Sequence, residues 1–230
     1  MLQFIKISGL ALTSLFFATS ASSATYIATA VVSGQSNLWL AGSPSGTTAY
    51  ASDSAPFQSP VLATPVTGGD ILTFSVSGTV SNNGWSYPPS ADGGASQYHV
   101  AGAENGISDL IAPLNSLIGV FLNEDVPVAG DEATKLVFNT AASLNYSSIS
   151  PLLNQAFFIG DGMTDGGFLQ EIIVPDGAVR LFLGSMDGFN WNNNGGAFNV
   201  NITGTTVPLP WAGAALLSGV GVLAGMRRRG

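Results

Sequence analysis

A run of oxygen-bearing side chains from Asp187 to Asn194 is the part of this sequence best suited to binding a cation. The run reads Asp-Gly-Phe-Asn-Trp-Asn-Asn-Asn and is followed by two glycines. Calcium is a hard cation that takes about six to eight oxygen ligands from carboxylates, amides and backbone carbonyls. Asp187 offers a carboxylate, Asn193 and Asn194 offer amide oxygens, and the Asn190 carbonyl lies in the connecting turn. Taken alone, the residues favour a plain hairpin turn, because Asn and Gly readily adopt positive φ.

The segments around this run predict an all-β fold. In the stretch 70–80, Leu72, Phe74 and Val76 alternate with small polar residues, which is typical of a half-buried strand. The stretch 198–203 alternates in the same way. Further strands are predicted at 26–32, 38–40, 117–122, 135–138, 156–159, 168–174 and 179–183. We expect the last two to form a hairpin, and 107–116 to contain a helical turn. Short strands separated by turn residues predict an antiparallel sandwich or jelly roll.

Three segments resemble the galactophilic, calcium-dependent bacterial lectins of the PA-IL type. They are 69–78, 173–183 and 187–202. In the third segment, the lectins carry an aspartate, a short loop, an Asn-Asn pair, Gly-x-Phe and a final strand. The resemblance covers most of 25–203 in order, with long insertions at 81–106 and 124–154. It implies a jelly-roll domain that binds carbohydrate with the help of calcium.

The resemblance also implies a set of calcium ligands. Asp187, Asn193 and Asn194 take the side-chain positions, and the Asn190 carbonyl takes a main-chain position. A further main-chain ligand is expected near Asn82, after the first core strand. The loop is one residue shorter than that of the lectins and contains a single carboxylate, which implies weak affinity.

The loop that would meet a sugar in the lectins corresponds to 81–106 in this chain. Aromatic faces stack on the C–H surfaces of sugars, and Gln or His can hydrogen-bond to hydroxyls. The candidate sugar-binding residues are Trp85, Tyr87, Gln97, Tyr98 and His99. The alternative for each is ordinary anchoring of the loop, and one histidine cannot build a multi-histidine metal site.

Catalysis has few suitable residues in this chain. With no cysteine and one histidine, it lacks the parts for thiol chemistry and for the usual serine nucleophile. The pairs Glu124-Asp125 and Asp131-Glu132 allow a glycosidase as an alternative. Adjacent acids in a Gly/Pro-rich loop are normally just solvated, so we expect no enzymatic activity.

The charge of residues 25–206 argues against nucleic acid as a partner. All 14 Asp and Glu residues of the chain lie here, opposed only by Lys135 and Arg180, so the formal charge is 14 minus 2, or 12 negative. Binding to nucleic acid or to anionic lipid needs basic patches, which this segment lacks. The charge suits cation binding, or solubility outside the cell.

The last 24 residues, 207–230, have three parts in order: a Pro-containing signature, an uncharged run at 212–226 and a basic cluster. The signature residues are Val207, Pro208, Leu209 and Pro210, and the basic residues are Arg227, Arg228 and Arg229. The stretch 207–226 is about long enough to cross a thin bilayer as a helix, and the arginines favour the cytoplasmic side.

This arrangement resembles the PEP-CTERM class of bacterial sorting tails, and its VPLPA variant in particular. Trp211 stands where that variant usually has alanine. The resemblance implies recognition by an exosortase-type membrane protease, cleavage near the signature, and release or transfer to the cell surface or extracellular matrix. The alternative is a plain single-pass anchor.

Residues 1–24 have the pattern of a secretory signal peptide. Lys6 supplies a positive charge, 7–18 is an apolar stretch, and Ser22-Ser23-Ala24 offers the small residues of a cleavage site. We therefore expect three parts: a signal peptide at 1–24, a β-sandwich ectodomain at 25–206, and a sorting tail at 207–230. The ectodomain would lie outside, held for a time at the inner membrane by the tail.

The sequence thus predicts an exported surface or matrix protein that binds extracellular polysaccharide with the help of calcium. The alternative is a structural protein of the biofilm matrix that has the same fold and no ligand.

Overall fold

Twelve β-strands make up most of the regular structure in the computed structural model, which describes residues 23–84 and 86–207. The strands are β1 Thr25–Ser33, β2 Val61–Pro65, β3 Ile71–Ser81, β4 Ser96–Tyr98, β5 Leu110–Pro113, β6 Leu117–Leu122, β7 Leu136–Val137, β8 Ser148–Ile149, β9 Ala156–Phe158, β10 Glu171–Ile173, β11 Arg180–Ser185 and β12 Gly195–Thr205. One short helix, α1, spans Ala141–Leu144, and 3-10 turns span Leu38–Leu40, Tyr50–Ser52 and Trp191–Asn193.

The strands form three sheets. The first has the order β1-β12-β3-β10-β8, the second β2-β11-β6-β9, and the third β4-β5-β7. Pairing is antiparallel except between β10 and β8 and between β5 and β7, which are parallel. Side chains of the first two sheets share one hydrophobic core, as in a β-sandwich. The prediction of an all-β, mainly antiparallel fold is confirmed.

The long strands β3 and β12 form the centre of the first sheet and pair over their full length. Leu72 and Phe74 of β3 and Phe198 and Ile202 of β12 are at most 2% exposed. Burial of each such side chain contributes about 1.5–3 kcal/mol. Gly78 has a φ of 86° in the middle of β3, and a Cβ there would collide with the Ala197 carbonyl oxygen. Only glycine fits this position without strain.

Strand β6 lies in the second sheet, and all six of its residues are buried. Phe121 of this strand stacks on Phe157 of β9, with ring centroids 5.0 Å apart. An uninterrupted apolar run such as 117–122 is typical of a strand that is covered on both faces. This strand therefore needs no polar face, and its sequence predicts its bounds well.

Three predictions of secondary structure are wrong. Residues Leu38–Leu40 form a 3-10 turn rather than a strand, and the expected helical turn at 107–116 gives way to β5. The expected hairpin of 168–174 and 179–183 does not form, because β10 pairs with β3 and β8 whereas β11 pairs with β2 and β6. The turn at 175–177 instead carries the chain from one sheet to the other.

The predicted signal peptide and sorting tail lie outside the described residues, except for Ser23, Ala24 and Val207. Within 23–84 and 86–207, no helix has the length and apolar character needed to cross a membrane.

Candidate cation site

The loop between β11 and β12 is held against the core by Trp191. This side chain is fully buried, and its Nε1 donates to the Ser185 carbonyl oxygen at 2.9 Å. The backbone N–H of Trp191 donates to a carboxylate oxygen of Asp53, also at 2.9 Å. Asn190 precedes it with a φ of 66°, a left-handed conformation that asparagine tolerates better than most residues. The loop is therefore fixed from within the domain.

Asp187 lies at the start of this loop and is only 5% exposed. Its Oδ1 accepts the Gly188 N–H at 2.6 Å, whereas its Oδ2 is buried and has no hydrogen-bond partner. Burial raises the pKa of the Asp187 carboxyl above its usual value, while hydrogen bonding by the Asn194 amide opposes the rise. None of these donors reaches Oδ2 with hydrogen-bond geometry, and a buried carboxylate oxygen of this kind calls for a cation or another ligand.

Asn194 lies at the end of the loop and is 6% exposed. Its Nδ2 donates to the Gly34 carbonyl oxygen at 3.0 Å, which fixes the orientation of the amide. Its Oδ1 is buried and has no partner. Leaving such an acceptor unsatisfied costs about 1–3 kcal/mol. Carboxylate and amide oxygens are the ligands that calcium prefers, so Asp187 and Asn194 fit a calcium ion.

The other residues expected to supply ligands are less buried. The Asn193 side chain is exposed, in the 3-10 turn Trp191–Asn193, and Asn190 is half-buried. Asn82 is half-buried and lines a cavity of about 340 Å³ together with Pro88, Pro89 and Asn115. The structure thus buries Asp187 and Asn194 and leaves Asn193 on the surface.

The sequence pattern does not single out two polar residues that lie near this loop in the fold. Asp53 is fully buried, and Asn115 is 6% exposed with a buried Oδ1 that has no partner. The Asn115 N–H donates to the carbonyl oxygen of Met186, the residue before Asp187. The sequence does offer one indication for Asp53, which is the only charged residue between positions 25 and 69.

The candidate sugar-binding residues divide into two groups. Tyr87 and Tyr98 are 50% and 59% exposed, and a side chain at Gly195 would meet the Tyr87 hydroxyl. The Gln97 amide lies against Gly188, where an added Cβ would collide with it. These three residues therefore border the loop 187–196.

His99 faces the interior, and Trp85 lies outside the described residues. The His99 side chain is 1% exposed, and its ring stacks on Trp39 with centroids 3.8 Å apart. Its Nδ1 contacts the Gly102 carbonyl oxygen at 2.7 Å, so this nitrogen carries the proton. A sugar at the surface would not reach this ring.

The other ring nitrogen of His99 faces a half-buried acid, Glu104. Its Nε2 lies 3.4 Å from Glu104 Oε2. Burial lowers the pKa of His99 and raises the pKa of Glu104, and the charge of Asp53 raises the latter further. Both shifts disfavour the charged forms of the two side chains.

Across residues 23–84 and 86–207, no group of three or more His, Cys, Asp or Glu side chains is arranged to hold a metal ion. The candidate calcium site is of another kind, because amide and backbone oxygens supply many calcium ligands in proteins.

Comparisons of the chain with protein-family models, with curated proteins and with solved structures find no match. Function is therefore inferred from the residues and geometry of the site rather than from relatives.

Proposed function

We propose that this chain is an exported surface or matrix protein whose jelly-roll β-sandwich binds carbohydrate with the help of calcium. The observation that carries the proposal is the pair of buried oxygens without partners, Asp187 Oδ2 and Asn194 Oδ1, at the two ends of one loop. Asp187 and Asn194 would hold the ion. When bound, calcium would offer open coordination positions to sugar hydroxyls.

Residues beside the loop support the carbohydrate part of the proposal. Tyr87 and Tyr98 present exposed rings with both apolar faces and polar tips, and the Gln97 amide is a hydrogen-bond donor next to Gly188. A few polar groups among aromatic surfaces are typical of small-molecule sites. The formal charge of 12 negative on residues 25–206 favours a neutral sugar over an acidic one.

A glycan array probed with and without calcium tests this function. We expect binding to neutral glycans that is lost in chelator. Tyr98→Ala should weaken that binding by about threefold to tenfold, because aromatic stacking contributes about 0.5–1.5 kcal/mol. The matched control is Phe168→Ala, which removes a 74% exposed aromatic ring in the turn before β10 and should leave binding unchanged.

Two results of this experiment would count against carbohydrate binding. Binding that persists in chelator contradicts the role of calcium. A protein that responds to calcium but binds no glycan contradicts the carbohydrate part and favours a structural matrix role.

We propose further that the tail directs exosortase-dependent sorting. Val207, the first signature residue, is 48% exposed and lies just beyond β12, which leaves it accessible to a protease. Replacing Arg227, Arg228 and Arg229 with Ser should abolish retention at the inner membrane and the processing that follows, because the cationic stop is lost.

Immunoblots of membrane and surface fractions measure this effect. The matched variant replaces the same three arginines with Lys, which keeps the charge, and should be processed normally. A Ser variant whose mature form appears at the surface in normal yield shows that the arginines are not part of the signal.

A further inference from the structure

Asp53 belongs to the long connection between β1 and β2 and reaches the inner side of the loop 187–194. It is fully buried. Its Oδ2 accepts the Asn37 Nδ2 at 3.1 Å and the Trp191 N–H at 2.9 Å. Its Oδ1 is buried and has no hydrogen-bond partner. One oxygen of this carboxylate thus fixes the loop, and the other is free to act on a ligand.

Within residues 23–84 and 86–207, no Lys or Arg side chain compensates this carboxylate. Lys135 and Arg180 are the only Lys and Arg residues between 25 and 206. The Lys135 Nζ lies 3.4 Å from Asp109 Oδ2, and Arg180 donates to the carbonyl oxygens of Asn123 and Asp125. Burying a carboxylate without a positively charged partner is costly, and a second one nearby increases the cost.

Asp53 and Asp187 are both held against the same loop. Trp191, four residues after Asp187 in this loop, donates its N–H to Asp53. Asn194 Oδ1 adds a further buried acceptor at the end of the same loop. Two like charges and a neutral acceptor, with no basic side chain, form an environment that attracts a divalent cation.

We infer that Asp53 supplies the second negative charge of the calcium site. The inference rests on the proposed function, because it assumes a cation held by Asp187 and Asn194. Two carboxylates neutralise a divalent ion, whereas the single carboxylate visible in the loop sequence would leave one positive charge buried. The site should therefore select calcium over sodium or potassium.

The test compares purified full-length parent protein with Asp53→Asn. Calcium affinity is measured by competition against terbium, whose luminescence is excited through nearby tryptophans such as Trp191, and melting temperatures are measured in chelator and in calcium. We expect Asp53→Asn to weaken calcium binding by at least about tenfold, because a charge is removed in the low-dielectric interior. In chelator, the variant should melt at or above the parent temperature, because repulsion with Asp187 is relieved.

The matched control is Asp70→Asn. Asp70 is 3% exposed, and its carboxylate also accepts two hydrogen bonds, from the Tyr26 hydroxyl and the Thr67 N–H. This variant should keep the calcium affinity of the parent. Asp53→Ser is a second variant in case the asparagine does not fold, since its hydroxyl oxygen can still accept from Trp191.

The possible outcomes distinguish a failure of the inference about Asp53 from a failure of the proposed function. Unchanged calcium affinity in the Asp53 variants overturns the inference and leaves the calcium site standing. If the melting temperature of Asp53→Asn lies below that of the parent by the same amount in chelator and in calcium, then Asp53 serves only to hold Trp191 in place. A parent protein that does not respond to calcium overturns the calcium part of the proposed function itself, before any variant is considered.

Discussion

Calcium at a hundredfold excess over its dissociation constant is expected to raise the melting temperature of this protein by about 5–10 °C. A ligand that binds only the folded state stabilises it by about 2.7 kcal/mol at that excess. Each kcal/mol shifts the melting temperature by about 2–4 °C in a domain of this size. The physical reason is the unsatisfied acceptors, Asp187 Oδ2 and Asn194 Oδ1, which a bound cation would satisfy. Differential scanning fluorimetry in calcium and in chelator measures the shift.

Three variants compare how much individual side chains of the loop contribute to the calcium-dependent rise in melting temperature. Asp187→Asn should remove most of the calcium shift, because it deletes the carboxylate of the loop. Asn194→Ala should remove less, because it deletes a neutral ligand that is buried. Asn193→Ala is the matched control, since this amide is exposed, and it should remove least. A calcium shift that survives Asp187→Asn intact would contradict a site at this loop, and so would a parent melting temperature that ignores millimolar calcium.

The sequence predicts strands well where burial follows a simple period. In β3 and β12, apolar and polar residues alternate, and the apolar set faces the core. In β6, the run 117–122 is apolar throughout, and the strand is buried on both sides. In both cases the local pattern and the tertiary environment agree: β3 and β12 bury their apolar residues and expose polar ones, and β6 buries all of its residues.

The connection between β1 and β2 shows where local pattern is insufficient. Leu38, Trp39 and Leu40 look like a strand, but a strand would send Trp39 to the opposite face from the two leucines. The structure buries all three, which are at most 1% exposed, in a 3-10 turn capped by the Asn37 side chain. Whether these three residues form a strand or a 3-10 turn therefore depends on the residues that the rest of the chain packs around them.

The candidate site also contains residues that are neighbours in the sequence and residues that only the fold brings together. Asp187 and Asn194 lie on one short loop, so the sequence already places them close together. Asp53 and Asn115 are far from that loop in sequence, and only the folding of the β1–β2 and β5–β6 connections brings them near it. In our proposal, the single-carboxylate site expected from the sequence gains a second buried carboxylate from outside the loop.

Replacing Trp39 with Ala is expected to destabilise the protein by about 3–5 kcal/mol, the usual cost of deleting a large buried aromatic side chain. At about 2–4 °C per kcal/mol, the melting temperature should fall by about 6–20 °C. Trp39 is fully buried, stacks on His99, and lies with its ring centroid 5.6 Å from that of Trp191. Its Nε1 donates to the Ser108 carbonyl oxygen at 3.0 Å. The variant would therefore leave a cavity and remove a buried hydrogen bond.

The matched variant is Trp39→Phe, which keeps an aromatic ring for His99 and loses only the Nε1 donor and part of the volume. It should lower the free energy of unfolding by less than half as much as Trp39→Ala does. Urea denaturation of the parent and both variants measures the difference. Because the Trp39 ring packs on Trp191 and supplies no oxygen ligand, both losses should be the same in calcium and in chelator. A loss for Trp39→Ala that is confined to the calcium-bound protein would mean that this turn is part of the cation site, and a loss below about 1 kcal/mol would contradict its place in the core.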